Sequence, residues 1–428
     1  MLFPWINEIS HLNEDNLSCN FKQRKKIVDS WLKIDDLVSI LKLKTEDVVP
    51  NIDWLKKVIQ DDSSIIKFGI DPTWSEIHLW HSIPLNIARL IQSTWKDITL
   101  VIWDFTARIG DPTWRSSERK VLSNSEIQSN YNQYKVQASK FLDLDKTNVV
   151  YNSSMLTDIS IQELMEFFQK TSMNSLLERD DFQKRIKWWL GLSLAEVFYP
   201  LLMALDSIKL NANLEIGWKD QLLNFHITRD LMKKYWLEPE VFITTPLLPW
   251  TNWSGEKMSK SLNNYIWLLE SGEDIYWKVM SIPDYLLELY IYNFIDMKEE
   301  EKLNIQKSIH ENPYLFKKAL AYHLSSLIAW EQQANMAKQQ FVRKFSKKDF
   351  SEEDFTPISS EKWNLVDILT NNHILPSKSE TRRMILAWAV KILKDSHEFE
   401  KINDINFGVD KDCYLKIWKK QFIKIITR

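Results

Sequence analysis

Two histidines are the first residues whose types and spacing suggest chemistry. His78 and His81 lie three positions apart where a predicted helix begins, so both imidazoles belong to its first turn. The amino end of a helix carries partial positive charge and favours anions. Two imidazoles there can hydrogen-bond a polyphosphate and stabilise negative charge that develops on it. The same pair would also fit a surface or helix-capping role.

A second segment of interest is KMSKS, residues 257–261, which stands in a polar loop. Its two ammonium groups and two hydroxyls can clamp phosphates, and a mobile loop can bring them in during the transition state. Such a pentapeptide is, by itself, commonly a solvated loop. Its occurrence downstream of a His-x-x-His turn in a βαβ setting favours a phosphate-handling site.

The pattern around these residues predicts a parallel α/β sheet as their scaffold. Residues 65–70 (IIKFGI) and 99–103 (TLVIW) are predicted as buried strands, and from His78 the chain between them has apolar residues at helical spacing. Strand, turn, helix and strand is the order of a doubly wound sheet, whose ligands bind beyond the carboxyl ends of the strands. The other predicted elements are strands at 210–216 and 241–245 and helices over 131–208 and 285–345.

Length and charge indicate several domains with one basic end. A chain of 428 residues is too long for a single compact core. The net charge of -3 excludes a chain that is basic throughout. Residues 361–428 nevertheless contain 13 Lys and Arg against 9 Asp and Glu, a local charge of +4. We therefore expect a small basic module at the C-terminus.

Other features narrow the class of protein. Cys19 and Cys413 are too few and too far apart for a disulfide framework or a cysteine-rich metal site. The opening MLFPWINEIS lacks the pattern of a signal peptide, and no uncharged apolar run of about 18 residues is present. We expect a cytoplasmic protein with no membrane span.

Several segments, in order along the chain, resemble the class I aminoacyl-tRNA synthetases and among them the bacterial tyrosyl-tRNA synthetases. They are KFGIDPTWSEIHLWH, FTARIGDPTWRSSERK, LSLAEVFYPLLMALDS, EIGWKDQ and KMSKSLNNYIWLLESGEDIYWKVMSIPD. ILPSKSETRRMI and YLKIWKKQFIKI resemble the small RNA-binding domain of those enzymes. The resemblance covers residues 65–428 and implies a tyrosine--tRNA ligase. Such an enzyme activates tyrosine with ATP to tyrosyl-adenylate and transfers the tyrosyl group to the 3′ end of tRNA(Tyr).

The resemblance also implies a fold and an assembly. The expected fold is α/β, with a doubly wound parallel-sheet nucleotide-binding catalytic domain, a helical domain and a small α+β RNA-binding C-terminal domain. A homodimer and Mg²⁺ accompanying ATP are expected as well. The expected divisions are an N-terminal helical region at 1–60, the Rossmann-like catalytic domain at 61–284, a helical anticodon-side domain at 285–345, a linker at 346–360 and the RNA-binding domain at 361–428.

Site roles follow from the resemblance residue by residue. The catalytic residues, which would bind the ATP phosphates and clamp pyrophosphate, are His78, His81, Lys257, Lys260, Ser261, Arg115 and Arg119. The nucleotide site would also include Thr73, Trp80, Trp218 and Asp220, the last holding the ribose. The tyrosine site would include Asp71, Asp111, Tyr199, Met203, Asp206 and Gln221, with Asp206 accepting from the phenol hydroxyl. The expected RNA contacts are Lys378, Arg382, Arg383, Lys419 and Lys420, for which a solvated surface is the alternative.

Two residues depart from the family at the expected tyrosine pocket. Relatives usually carry Gln where Met203 stands, which removes one contact to the substrate ammonium group. Lys67 occupies a place where one branch of the family has a Tyr that touches the phenol.

The glycine and tryptophan counts depart from the family throughout the chain. The chain has 7 glycines and 20 tryptophans, whereas average usage would give about 30 glycines. Tryptophan stands at family glycine positions Trp74, Trp80, Trp114, Trp218, Trp250, Trp253, Trp267, Trp277, Trp388 and Trp418. Glycine is needed where a backbone approaches a nucleotide or has positive φ, and an indole at Trp80 or Trp218 would fill the expected place of adenine.

We hypothesise that most of these tryptophans are glycine in the cell, because a stop codon read there as glycine has been translated here as tryptophan. The alternative is a Trp-rich protein that has lost activity, namely a non-catalytic RNA-binding derivative with a blocked ATP site. A nucleotidyltransferase that does not use tRNA is a further alternative, but it would need neither the helical region nor the basic tail.

Overall fold

The structure is a computed structural model that describes residues 13–72, 75–109, 122–248, 265–346, 350, 352–360, 364–393, 399–417 and 421–427. The chain divides into two compact units, Met1–Asn335 and Met336–Arg428.

A six-stranded sheet forms the centre of the first unit. Its strands are β1 (Asp47–Val49), β2 (Ile66–Ile70), β3 (Ile98–Ile102), β4 (Thr147–Tyr151), β5 (Leu214–Trp218) and β6 (Val241–Thr245). Their order across the sheet is β1-β6-β5-β2-β3-β4. Neighbouring strands are parallel except β1 with β6, which are antiparallel. The predicted doubly wound α/β fold is confirmed, with an antiparallel strand added at one edge.

The chain changes direction across this sheet between β2 and β5. From β2 it moves through β3 to β4 on one side, and then β5 and β6 follow on the other side of β2. Ligands of doubly wound sheets bind at such a reversal, outside the carboxyl ends of the strands. The residues that follow β2 and β5 therefore lie at the crevice where a ligand is expected.

The central strands form where the sequence has short apolar runs. Every residue of β2, β3 and β6 is buried, as expected for parallel strands covered on both faces. The predicted strands at 65–70, 99–103 and 241–245 are confirmed to within one residue.

Three sequence predictions of secondary structure are wrong in part. The strand predicted at 210–216 begins only at Leu214, because the preceding helix continues to Leu210 and ends at Asn211, which has φ 50°. Strand β4 lies within the region predicted as helical over 131–208, and β1 lies within the region predicted as helical at 1–60. Both are edge strands that are only partly buried, so they lack the continuous apolar run that identifies the central strands.

Helices cover the sheet and continue beyond it. They are α1 (Glu14–Ser30), α2 (Ile34–Lys44), α3 (Ile52–Gln60), α4 (Ser82–Gln92), α5 (Asn124–Ala138), α6 (Asn152–Leu156), α7 (Ile161–Phe168), α8 (Met173–Leu176), α9 (Asp180–Lys187), α10 (Leu194–Leu210), α11 (Leu222–Lys234), α12 (Gly272–Met280), α13 (Leu287–Phe294), α14 (Lys302–Glu311), α15 (Pro313–Ala329) and α16 (Glu331–Phe341). Short 3-10 turns at Leu79–His81, Thr106–Arg108 and Lys219–Gln221 follow the carboxyl ends of β2, β3 and β5.

Buried ion pairs attach the N-terminal helices to the helical region that follows the sheet. Arg24 of α1 donates to Glu301 at 2.9 Å, and Arg89 of α4 donates to Asp296 at 2.7 Å. Lys44 of α2 lies 3.6 Å from the same Asp296. All five side chains are almost fully buried. The N-terminal region is therefore part of the packed first unit.

The second unit is a small α+β domain, as predicted. Its strands are β7 (Thr356–Ser360), β8 (Val390–Leu393), β9 (Phe399–Lys401), β10 (Cys413–Ile417) and β11 (Gln421–Thr427), in the order β7-β11-β10-β8-β9. Helices α17 (Leu365–Asn371) and α18 (Lys378–Leu386) contribute to one apolar core with the sheet. Residues 356–360, predicted as part of a linker, form the edge strand β7. The charged, apolar-poor sequence of this segment did not indicate a strand, because an edge strand buries few of its side chains.

Positive φ angles are concentrated at tryptophan. Among the described residues, seven that are not glycine have positive φ. Five of them are Trp95, Trp189, Trp236, Trp330 and Trp388, and the other two are Asn211 and His373. This backbone region strongly favours glycine and tolerates Asn. Tryptophan therefore stands repeatedly where the backbone has a glycine conformation.

Candidate active site

The histidine pair lies beyond the carboxyl end of β2, at the reversal point of the sheet, and it stands at the start of a helix as the sequence predicted. His78 precedes the 3-10 turn Leu79–His81, and α4 begins immediately after His81. The two imidazole rings have their centroids 3.9 Å apart. The backbone N–H of His78 donates to Nδ1 of His81 at 3.3 Å. Because Nδ1 accepts this bond, a neutral His81 carries its proton on Nε2 and can donate it to an anion.

A second chain segment fixes the position of the histidine turn. Residues His78 and Trp267 form an antiparallel bridge, and Leu79 N–H donates to the carbonyl of Ile266 at 2.8 Å. His78 is only 6% exposed. The turn is thus held by backbone contacts that do not depend on the identity of a ligand.

Two indoles fill the space beside the histidine rings. Trp80 and Trp218 lie edge to face with ring centroids 6.1 Å apart, and they are 5.6 Å and 6.0 Å from the ring of His81. Trp80 Nε1 donates to the carbonyl of Pro246 at 3.3 Å. The indole nitrogen of Trp218 is buried and has no hydrogen-bond acceptor within the described parts of the chain. Two residues predicted at the nucleotide site therefore occupy its crevice themselves.

The turn after β5 holds the predicted residues Asp220 and Gln221. Both belong to the 3-10 turn Lys219–Gln221. Gln221 is buried, and its Oε1 accepts from the backbone N–H of Trp218 at 3.2 Å. Asp220 is partly exposed. Both residues follow the carboxyl end of β5. The predicted contacts of Asp220 with the ribose and of Gln221 with the substrate ammonium group stay predictions.

Helix α10 presents three predicted pocket residues on one face. Tyr199, Met203 and Asp206 recur at positions i, i+4 and i+7, which lie on the same side of a helix, and all three are buried. The helix begins with a capping box in which the Ser193 side chain accepts from the Glu196 N–H. Tyr199 donates its hydroxyl to Asp71 Oδ2 at 2.6 Å.

Asp206 is a buried carboxyl with little hydrogen bonding. Its residue is 0% exposed, and Asn152 Nδ2 lies 3.5 Å from Oδ2. Its Oδ1 accepts no hydrogen bond from the described residues. Burial raises the pKa of Asp206 to about 7, although the nearby Lys67 ammonium favours its charged form. A ligand hydroxyl that donates a hydrogen bond to Oδ1 would give this oxygen a partner.

A buried ionic cluster supports Asp206 and was not predicted from the sequence. Lys67 of β2 lies 2.9 Å from Glu215 of β5 and donates to Ser207 at 2.8 Å. Glu240 is also buried, and neither oxygen of its carboxyl accepts a hydrogen bond of normal geometry from the described residues. Burial and the charge of Glu215 raise the pKa of Glu240 well above its ordinary value. Burial opposes the charged form of Lys67, but the surrounding carboxylates raise the pKa of its ammonium.

Strand register explains why this cluster forms. Lys67 and Glu215 are direct partners in the parallel pairing of β2 with β5. The only signal in the sequence is one charged residue within each of two apolar runs. Lys67 therefore binds carboxylates beneath the pocket.

Several predicted site residues lie outside the described residues. They are Thr73, Asp111, Arg115, Arg119, Lys257, Lys260, Ser261, Lys419 and Lys420, and their roles stay predictions. Five of the tryptophans at family glycine positions also lie outside the described residues, namely Trp74, Trp114, Trp250, Trp253 and Trp418.

Three predicted RNA contacts are described in the second unit. Lys378, Arg382 and Arg383 are exposed on α18. Lys378 pairs with Asp367 at 2.6 Å, and Arg383 pairs with Glu380 at 2.7 Å.

The described residues contain neither a candidate metal site nor a candidate membrane span. Within the described ranges, no three His, Cys, Asp or Glu side chains are grouped so that they could hold a metal ion. None of the helices in those ranges has the length and apolar character that crossing a membrane requires.

Comparisons with known proteins agree with this geometry. The family described as "tRNA synthetases class I (W and Y)" matches residues 60–346. The chain is 34% identical over 397 residues to a tyrosine--tRNA ligase of Thermotoga maritima, covering 91% of this chain and 97% of that protein. It is also 34% identical over 396 residues to the tyrosine--tRNA ligase of Aquifex aeolicus, and the match covers 92% of this chain and 99% of that protein.

Solved structures show the same fold. A truncated mitochondrial tyrosyl-tRNA synthetase of Aspergillus nidulans matches with a TM-score of 0.60 and 21% identity, covering 78% of this chain and 99% of that chain. A tyrosyl-tRNA synthetase of Archaeoglobus fulgidus complexed with L-tyrosine matches with a TM-score of 0.55 and 19% identity. This match covers 72% of this chain and 100% of that chain.

Proposed function

Because the chain belongs to the class I tRNA synthetases, as a tyrosine--tRNA ligase, we propose that tyrosine and ATP react in the crevice at the carboxyl ends of β2 and β5. In this reaction the tyrosine carboxylate attacks the α-phosphate of ATP, which gives tyrosyl-adenylate and releases pyrophosphate. The tyrosyl group then passes to the 3′ end of tRNA. The protein must position two anions and stabilise charge that develops on the leaving pyrophosphate.

The ATP phosphates bind at the histidine turn. The paired rings of His78 and His81 precede the amino end of α4, which favours anions. Asp220, on the turn after β5, holds the ribose, and Thr73 lies near the phosphates. Pyrophosphate is clamped by residues from two further loops, namely Arg115, Arg119, Lys257, Lys260 and Ser261. Mg²⁺ enters with ATP, held by the phosphates of the nucleotide.

Tyrosine binds with its phenol at Asp206. The observation that carries this assignment is a fully buried carboxyl on the same helix face as Tyr199, with one oxygen lacking a hydrogen bond from the described residues. A phenol hydroxyl completes that carboxyl, whereas phenylalanine leaves it unpaired in an apolar site. Tyrosyl-tRNA synthetases are the known example of this kind of discrimination. Asp71, Asp111 and Gln221 contact the substrate ammonium group, with Met203 providing no polar side-chain contact.

Active protein carries glycine at most of the tryptophan positions. Two indoles fill the crevice beside the histidines, where ATP has to bind. Independently, five of the seven non-glycine residues with positive φ in the described ranges are tryptophan. The codons of the gene provide the test, since UGA at these positions supports recoding and UGG contradicts it. With UGG codons, the alternative of a non-catalytic RNA-binding protein would be favoured.

Assembly and location complete the proposal. The enzyme is a cytoplasmic homodimer, and its basic second unit binds tRNA. The support is the family membership and the exposed cations on α18. Light scattering that gives a stable monomer at micromolar concentration would contradict the dimer.

Tyrosine-dependent ATP–pyrophosphate exchange tests the function. The protein is made from a gene in which glycine codons replace the tryptophan codons. Exchange should require tyrosine, and His78→Ala or His81→Ala should reduce it at least a hundredfold. His226→Ala, an exposed histidine on α11, is the matched control and should leave the rate unchanged. Exchange driven equally by phenylalanine would reject the role of Asp206.

A further inference from the structure

A third indole lies inside the proposed amino-acid pocket. Trp103 follows β3, and its backbone N–H donates to the carbonyl of Ile70 at 2.9 Å. Its side chain is 3% exposed. The ring stands edge-on to Tyr199, with centroids 6.3 Å apart, and Lys67 Nζ is 5.9 Å from its centroid. Trp103 therefore lies among the residues that surround the proposed phenol site.

The backbone beneath Trp103 provides space for a ring. Gly69 of β2 lies so close to the indole that a Cβ at residue 69 would overlap it. Met203 of α10 belongs to the same buried cluster. A planar ring thus fits between a glycine on the sheet and the pocket face of α10.

The polar end of this indole faces the acidic end of the pocket. Its N–H is close enough to Asp206 to favour the charged form of that carboxyl. Nevertheless, Trp103 Nε1 forms no hydrogen bond of normal geometry with any described residue. A buried N–H without an acceptor is destabilising. A bound tyrosine would likewise place an aromatic ring with a polar hydrogen beside Asp206.

We propose that residue 103 determines whether the amino-acid pocket is open, because the indole of Trp103 occupies the place of the tyrosine ring and glycine there vacates it. This inference rests on the proposed function, since it takes the pocket at Asp206 as the tyrosine site. An indole buries on the order of 200 Å², so it and a substrate ring exclude each other. Residue 103 is thus a specificity-determining position for the reaction.

Equilibrium binding of tyrosine, measured by calorimetry without ATP, tests this proposal. Omitting ATP makes the result independent of Trp80 and Trp218. The protein with Trp103 and its Trp103→Phe variant should bind tyrosine at least a hundredfold more weakly than Trp103→Gly, because both retain a ring. Trp236→Gly is the matched control. Its indole is 96% exposed, so its removal should leave tyrosine binding unchanged.

The outcomes separate this inference from the proposed function. Binding by Trp103 or Trp103→Phe protein within threefold of Trp103→Gly would overturn the inference and leave tyrosine activation intact. A folded Trp103→Gly protein, verified by circular dichroism, that binds no aromatic amino acid would also overturn it. Binding of phenylalanine or tryptophan in preference to tyrosine would support the open pocket but reject the tyrosine assignment. If Trp103→Gly does not fold, Trp103→Ala takes its place in the comparison.

Discussion

At the scale of single residues, the protonation of Asp206 decides the character of the pocket. Three buried carboxyls, Asp206, Glu215 and Glu240, surround one ammonium group, that of Lys67. A single positive charge cannot balance three negative charges in a site of low dielectric. Burial raises the pKa values of Asp206 and Glu240, and the charge of Glu215 adds to the rise. Protonation of these two carboxyls lowers the cost of their burial.

Replacement of Asp206 by Asn should change how stability depends on pH. The folded pKa of about 7 exceeds the unfolded value near 3.8, so the native state holds an extra proton between these pH values. The free energy of unfolding therefore falls as pH rises from about 4 to 7. Asp206→Asn removes this loss and should be more stable by a few kcal/mol at pH 8, with no advantage below pH 4.

Urea denaturation at several pH values measures this effect. Asp230→Asn, which changes a carboxylate with 68% exposure on α11, is the control and should not alter the profile. Parallel stability curves for the parent and Asp206→Asn would contradict the buried, protonated carboxyl.

At the scale of elements, the ends of helices show what the tryptophan positions require. After α11, Trp236 N–H donates to the Lys233 carbonyl at 3.0 Å and Leu237 N–H donates to the Met232 carbonyl at 3.0 Å. This pair of bonds is the Schellman motif, whose left-handed residue is usually glycine. Trp189 and Trp388 stand at the same place after α9 and α18, with the same two bonds. The backbone at these three helix ends therefore indicates glycine, independently of the observations at the proposed active site.

Glycine at position 236 should stabilise the protein. Trp236 has φ 58° and is 96% exposed. Its left-handed backbone conformation is therefore strained, and its side chain gains no packing that would offset the strain. Relief of that strain outweighs the added flexibility of glycine, and the free energy of unfolding of Trp236→Gly should rise by about 1 kcal/mol.

The matched control is Trp54→Gly within α3. Trp54 is a partly exposed residue in helical conformation, so glycine there should destabilise by about 1 kcal/mol. Thermal unfolding of both variants gives the comparison. Equal effects of the two substitutions would contradict a specific requirement for glycine at residue 236.

At the scale of the whole molecule, the chain divides into two compact units, to which we assign separate tasks as a proposal. The first unit contains the sheet and every described residue of the proposed site, and the second has its own core. Adenylate formation and tRNA binding should therefore be separable by truncation.

Removal of residues 347–428 should leave tyrosyl-adenylate formation within about twofold in the glycine-containing protein. Charging of tRNA should fall at least tenfold, because the phosphate contacts of the basic unit are lost. Each lost contact should also reduce the slope of log affinity against log salt by about 0.7–0.9. Filter binding of tRNA at several salt concentrations measures both effects, and unchanged charging would reject the RNA-binding role.

A point variant supplies a milder version of the same test. Arg382 is exposed on α18 and has no ion-pair partner within the described residues, unlike Lys378 and Arg383. Arg382→Ala should therefore weaken tRNA binding more than Arg383→Ala, with adenylate formation unchanged in both. If neither substitution measurably weakened tRNA binding, the RNA contacts would have to lie elsewhere.

The sequence by itself determined the features that depend on residue type and local spacing. The His-x-x-His turn and the central strands follow from periodicity and from the chemistry of a few side chains, and the resemblance to the family points to Tyr199 and Asp206. The excess of tryptophan over glycine is likewise visible in the composition. These features require no knowledge of which strand pairs with which.

Only the tertiary structure decided the contacts between distant segments. The Lys67–Glu215 pair depends on the register of β2 against β5, and Trp103 lies against Gly69 and Tyr199 because β3 ends beside β2. The edge strands β1, β4 and β7 form because a neighbour supplies their hydrogen bonds, while their own residues bury little. Register and neighbour are set by the packing of the whole sheet, which local periodicity does not contain.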